Sequence, residues 1–130
     1  MKIFHKLDHR KYSKIIADES LKVAADFLDE VLDVVPNIPV TLENSAGFGA
    51  QLGAQLKDIA QIISLSHFSE RIGFALNTSH AFSYGYDFRT QEKYEAFITS
   101  IDQILGLNKI KLMFFNDSNF SFARSLIKLR

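Results

Sequence analysis

The sequence predicts an α/β fold, a sheet of roughly three parallel strands with covering helices, and three observations predict it. Apolar periodicity switches repeatedly between helical spacing and short continuous runs. Those short runs are apolar along most of their length, as strands buried on both faces of a parallel sheet are. Each run also ends in a polar cluster: Glu43-Asn44, Asn77 to His80, and Asn116-Asp117.

The first element is a long amphipathic helix from Tyr12 to Val35. Leu21, Ala24, Leu28, Val31, Leu32 and Val35 recur at helical spacing, and Pro36 ends the run. Asp18, Glu19, Asp26, Asp29, Glu30 and Asp33 occupy its other face and read as solvated surface. Ile38 to Leu42 is short and β-branched, a strand that gives way to a loop at Glu43-Asn-Ser-Ala-Gly-Phe-Gly49. Leu56, Ile59, Ala60 and Ile63 mark a second helix. A second strand follows over Arg71 to Leu76. It ends in Asn77-Thr-Ser-His80, which locally reads either as a strand-to-loop turn or as donors and acceptors shown to a ligand at a strand's carboxyl end. Thr90 is the N-cap of a third helix with Glu92 in its first turn. Tyr94, Phe97, Ile98, Ile101, Ile104 and Leu105 form its stripe, and Gly106 stops it. Lys109 to Phe115 reads as the third strand.

Doubly wound sheets and barrels share this alternation. In either, parallel strands bring the three polar ends to one mouth. Three strands cannot close a barrel, and eight βα units take about 250 residues, so this chain is roughly half of one.

Composition narrows the classes further. At 130 residues and 47% hydrophobic, residues 1–130 can form one domain with a real core. Fifteen basic and fifteen acidic residues cancel, so no global field draws the chain to nucleic acid or membrane. Local basic clusters remain: Lys2, Lys6, Arg10, Lys11 and Lys14 at one end, Arg124, Lys128 and Arg130 at the other, each able to contact phosphate. The absence of cysteine excludes disulfides and thiolate metal sites and suits a reducing compartment. No apolar run reaches the ~18 residues of a membrane span, and Met-Lys-Ile-Phe-His-Lys lacks a signal peptide's apolar stretch. The expected location is the cytoplasm, with no membrane partner.

Gly47-Phe-Gly49-Ala-Gln-Leu-Gly53 lies between a strand and a helix, as the dinucleotide-binding glycine pattern does. The spacing is wrong by one residue, and Asn77 stands where an acidic ribose ligand would end the next strand. Nucleotide binding is therefore not the reading adopted.

Three segments together resemble endonuclease IV. They are Leu42-Glu43-Asn44-Ser-Ala-Gly47, then Asn77-Thr-Ser-His80-Ala-Phe-Ser-Tyr-Gly-Tyr-Asp87-Phe-Arg89-Thr90, then Met113-Phe-Phe-Asn116-Asp117-Ser118. They stand in the family's order with sensible separations, and the resemblance runs from the first helix to about Ser118. It implies part of a TIM (β/α) barrel and a DNA-repair enzyme that hydrolyses the backbone at abasic sites with a zinc cluster. DNA is then the partner and zinc the cofactor. The family's barrel also has earlier strands bearing histidine ligands and closing strands bearing a further carboxylate, without counterparts in this sequence.

The resemblance makes Glu43 the metal-bridging, catalytic glutamate of Leu-Glu-Asn-x-Ala-Gly, and His80 a second zinc ligand. Two ligand positions are degenerate. Asn77 replaces a metal-binding aspartate, and an amide brings no charge to offset clustered zinc ions. Phe114 replaces a histidine, and a phenyl ring cannot coordinate zinc. In the tail Asn119 to Arg130, Ile127 and Leu129 fall where the family has a further ligand pair. Gly85, Asp87 and Arg89 are expected to serve structure first, as a tight turn, a backbone cap, and a partner for carboxylate or phosphate. Phe82, Tyr84 and Tyr86 are expected to pack under the loop rather than stack on exposed bases.

The expectation is thus a truncated, partly degenerate endonuclease IV that is inactive on its own. The alternatives are a non-catalytic module binding DNA or a protein partner, and a sugar isomerase or epimerase-like barrel, against which the Tyr84-Gly-Tyr-Asp-Phe-Arg-Thr90 run argues. A half-barrel could also pair with itself or a companion chain, because open strand edges invite association.

Overall fold

A computed structural model describes residues 9–49, 51–118 and 122–123, with side chains from Lys14 onward. Helix α1 (His9–Val34) leads through Pro36 to strand β1 (Val40–Glu43), and α2 (Leu56–Leu65) follows. A short 3-10 turn, Ser69–Arg71, enters β2 (Ile72–Asn77), and α3 (Thr78–Tyr84) starts at once. Helix α4 (Gln91–Ile104), a second 3-10 turn and β3 (Ile110–Phe114) complete the order.

The three strands form one parallel sheet in the order β1-β2-β3. All six residues of β2 are buried, so the continuous apolar run is borne out for the central strand. It is not borne out for its neighbours. β1 alternates between half-buried and exposed positions and β3 is exposed from Lys111 onward, because among the described residues both are sheet edges.

The alternation of β2 decides between the two architectures left open by the sequence. Ile72, Phe74 and Leu76 point to one face and join Leu32 of α1, Ile59 of α2 and Ile101 of α4 in the main core. Gly73, Ala75 and Asn77 point the other way. In register beside them are Thr41 and Glu43 on β1 and Leu112 and Phe114 on β3, and this second face carries no described helix from the main core. A sheet covered by helices on one face is a barrel wall, whereas a doubly wound sheet is covered on both. Gly73 permits the close approach of β3: a Cβ there would lie 2.5 Å from Lys111 Cγ and 3.3 Å from the Lys109 carbonyl oxygen.

Four expectations need correction. Asn77 to His80 is not a strand-to-loop turn, because Asn77 ends the strand and caps α3. Arg71 lies in the 3-10 turn before β2, and its guanidinium donates to the carbonyls of Leu32, Val35 and Ile38, tying off the end of α1. Asp29 is not a solvated-face residue, since it accepts hydrogen bonds from the Ser66 hydroxyl and the His67 amide. These bonds, chiefly the one from Ser66, hold its carboxyl below the ordinary value. The outer strands are also shorter than expected: Ile38 precedes β1 and Phe115, 78% exposed, follows β3.

Candidate metal centre at the strand ends

Because the strands are parallel, Glu43, Asn77 and Phe114 lie at the same rim, and Asn77 pairs in register with Phe114. The rim is sewn together by polar side chains. Asn44, 1% exposed, accepts from the Asn77 amide through Oδ1 at 2.7 Å and donates to the Asn77 carbonyl through Nδ2 at 3.1 Å. A side-chain amide thereby extends the β1–β2 ladder by one rung. On the other side, Thr78 Oγ1 accepts from the Asn116 amide at 3.2 Å and lies 3.1 Å from the Phe114 carbonyl, to which it can donate.

Asn77 works in two directions. Its Oδ1 accepts from the His80 amide at 3.2 Å, capping α3, and its Nδ2 donates to Glu43 Oε1 at 2.7 Å. His80 Nδ1 lies 2.9 Å from the Asn44 carbonyl oxygen and 3.3 Å from Glu43 Oε1. Both neighbours accept, so Nδ1 carries the proton and the lone pair of the neutral ring is on Nε2. The structure therefore brings Glu43, Asn77 and His80 together as expected, with Glu43 and His80 about two-fifths exposed. Phe114 shares the rim but offers no donor atom.

The remaining singled-out residues have structural partners. Asp87 accepts from the Arg89 guanidinium at 2.9 Å through both oxygens, from the Arg89 amide at 3.1 Å and from Lys93 at 2.6 Å. Hydrogen bonds from Arg89, then Lys93, hold its carboxyl far below the usual range. Arg89 is thus paired with carboxylate, and it also lies over the rings of Phe82 and Phe122. Gly85 takes φ +125° at the end of α3. Tyr86 packs on Phe97 at 5.3 Å and Phe82 on Phe88 at 6.0 Å, as expected for aromatics beneath a loop. Burial pushes the Tyr84 and Tyr86 phenols up from their ordinary values.

The glycine pattern also has a structural explanation. Tyr86 Oη accepts from the Leu56 amide at 3.0 Å, so a phenol occupies the N-terminus of α2 where an anion would bind. Gly47 at φ +75° lies under the Tyr84 ring, where a Cβ would stand 2.6 Å from Tyr84 Cδ2. Sequence reasoning missed the buried role of Asn44, the Thr78 link and the Tyr86 cap. Only the polar cluster Glu43-Asn44 hinted at the first. The side chains of Lys2, Lys6, Arg10, Lys11, Arg124, Ile127, Lys128, Leu129 and Arg130 lie outside the described residues.

The donor set does not fit a zinc cluster. Glu43 and His80 are the metal donors brought together at the rim, the Asp117 carboxylate beyond β3 accepts from the Ser118 amide at 2.8 Å, and among the described residues no group of three or more His, Cys, Asp or Glu is placed to hold a metal ion. The histidine edge facing Glu43 is moreover the protonated one, directing the Nε2 lone pair away from the carboxylate.

A three-stranded parallel barrel wall with polar and ionisable side chains at its carboxyl rim defines a class, and comparison with known proteins agrees with it. Residues 3–125 match the family described as xylose isomerase-like TIM barrel, and the chain belongs to that family. Within it, the resemblance is to endonuclease IV. The chain is 43% identical over 98 residues to the probable endonuclease 4 of Oleidesulfovibrio alaskensis, covering 74% of this chain and 33% of that protein. It is 32% identical over 117 residues to the probable endonuclease 4 of Campylobacter curvus, covering 90% and 41%. The crystal structure of endonuclease IV from Thermus thermophilus matches with TM-score 0.66 at 25% identity, over 78% of this chain and 36% of that one. The chain thus spans a third to two-fifths of these relatives. Among the described residues no helix is long and apolar enough to cross a membrane.

Proposed function

We propose that the chain is the central portion of an endonuclease IV-like DNA-repair barrel and that, alone, it does not hydrolyse DNA at abasic sites. The observation that carries this reading is the composition of the strand rim. Glu43 is retained, but its neighbours in the sheet end in an amide, Asn77, and a hydrocarbon, Phe114. Metal-assisted hydrolysis needs enough anionic and imidazole donors to fix the ions and lower the pKa of bound water. Glu43 and His80 alone are too few. The sugar isomerase or epimerase reading shares the barrel, but the relatives named above are endonucleases. The test is incubation of the purified chain with an abasic-site duplex and excess zinc. No strand breakage above the buffer rate is expected, and chelator-sensitive cleavage would overturn the reading.

A second reading concerns partners. Leu112, Met113, Phe114 and Phe115 on and beyond the β3 edge are 45%, 40%, 37% and 78% exposed. Beside them Phe88, Tyr94 and Ile98 help line a groove of about 440 Å³. The three strands among the described residues are three-eighths of a TIM barrel's eight, which agrees with the 36% of the Thermus thermophilus chain that is matched. Two copies of the described sheet supply six strands, so the occupant that completes the wall is a complementary portion of such a barrel rather than a second copy. Sedimentation tests this: monomer alone, and a complex when mixed with the two segments of the Oleidesulfovibrio alaskensis relative that precede and follow the matched region. A stable dimer of the chain alone would contradict it.

A further inference from the structure

One oxygen of the Glu43 carboxylate is drawn into a ring of hydrogen bonds. Its Oε1 receives Asn77 Nδ2 at 2.7 Å and faces His80 Nδ1–H at 3.3 Å, while Asn77 Oδ1 is spent on the His80 amide at 3.2 Å. Asn44 closes the ring by bonding both backbone groups of Asn77 and placing its own carbonyl 2.9 Å from His80 Nδ1. Asn77 is 6% exposed, so its own amide groups are largely out of water and must find partners within the ring, while Glu43 and His80 sit about two-fifths exposed at its edge.

The amide orientation is fixed by its partners. The atom facing a carboxylate must donate and the atom facing an amide N–H must accept, and one carboxamide meets both requirements at once. A carboxylate in the same place would still cap α3 through one oxygen. Its other oxygen would then stand about 2.7 Å from Glu43 Oε1. Two carboxylates that close cannot both stay ionised unless a cation or proton lies between them.

We infer that Asn77 takes the place of a metal ion at this rim: its amide supplies the positive end that Glu43 requires, so the joined ends of β1 and β2 are stable without any divalent cation. The role is a positioning one, holding Glu43 and His80 in the closed ring. It rests on the metal-poor reading above. The two fail separately, since DNA cleavage by the chain would overturn that reading without moving a melting temperature.

The test is thermal melting at neutral pH in excess chelator and in saturating zinc chloride, for the parent chain, Asn77→Asp and Asn77→Ala. The parent is expected to melt within about 1 °C of the same temperature in both, since a ligand that does not bind the native state adds no stability. Asn77→Asp is expected to melt lower in chelator and to recover by roughly 10 °C when zinc is near 100 times its dissociation constant. Asn77→Ala, which loses the amide without gaining charge, is expected to melt lower and to ignore zinc. Zinc stabilisation of the parent, or a folded Asn77→Asp chain indifferent to zinc, would overturn the inference. Should Asn77→Asp not fold in either condition, nitrogen-15 spectra of the parent's His80 ring decide. An unchanged Nδ1–H tautomer with and without zinc supports the inference, and a zinc-dependent shift of Nε2 overturns it.

Discussion

The side-chain amide of Asn44 pairs with both backbone polar groups of Asn77, accepting from its N–H at 2.7 Å and donating to its carbonyl at 3.1 Å. Since both residues are buried, truncation of Asn44 strands two backbone groups away from water. Each such group costs about 1–3 kcal/mol, so Asn44→Ala should lose roughly 2–6 kcal/mol. Urea denaturation measures it. A loss below about 0.5 kcal/mol would show that water replaces the amide.

Gly47 and Gly49 should respond differently to alanine. Both have positive φ, +75° and +64°, but a Cβ at Gly47 meets Tyr84 at 2.6 Å whereas one at Gly49 meets nothing within 4 Å. Gly49→Ala should cost the left-handed backbone penalty of about 1–2 kcal/mol. Gly47→Ala should cost that plus about 1–3 kcal/mol of overpacking. Equal losses in denaturant titrations would contradict the packing of Tyr84 on this turn.

Tyr86→Phe removes the acceptor for the Leu56 amide at the start of α2 and changes little else. The expected loss is about 1 kcal/mol, read as a lower urea midpoint with an unchanged slope. No loss would mean that another acceptor takes the Leu56 amide.

Much of the fold was legible because it follows from side-chain period. The stripes at Leu21 to Val35 and Tyr94 to Leu105, the apolar run of β2 and the Thr90 cap all carry local signals. Helix α3 was not read, because its seven residues are too few to show a stripe and the cap Asn77 also suits a turn. Asp29 was misread because its partners, Ser66 and His67, stand 37 and 38 residues away. At the site, residue identities named Glu43, Asn77, His80 and Phe114, but which atom of Asn77 faces Glu43 depends on the closed ring, and that exists only in three dimensions.

The Asp87 cluster should give an acid-side signature. Its folded pKa is depressed by Arg89 and Lys93, so its contribution is fully present above the unfolded value near 3.9 and is lost as pH falls through the folded value. The parent's stability advantage over Asp87→Asn should therefore be constant from neutral pH down to about 5 and shrink below about 4. Urea midpoints across that range provide the check, and an advantage that persists undiminished into strong acid would contradict the pairing.

The most direct test of the central claim, that this strand rim has too few donors for a zinc cluster, is metal content. The purified chain is loaded with excess zinc, dialysed and analysed for zinc per chain by mass spectrometry. Less than one zinc per chain is expected to remain, whereas stable retention of two or more, lost on substitution of Glu43 or His80, would contradict it.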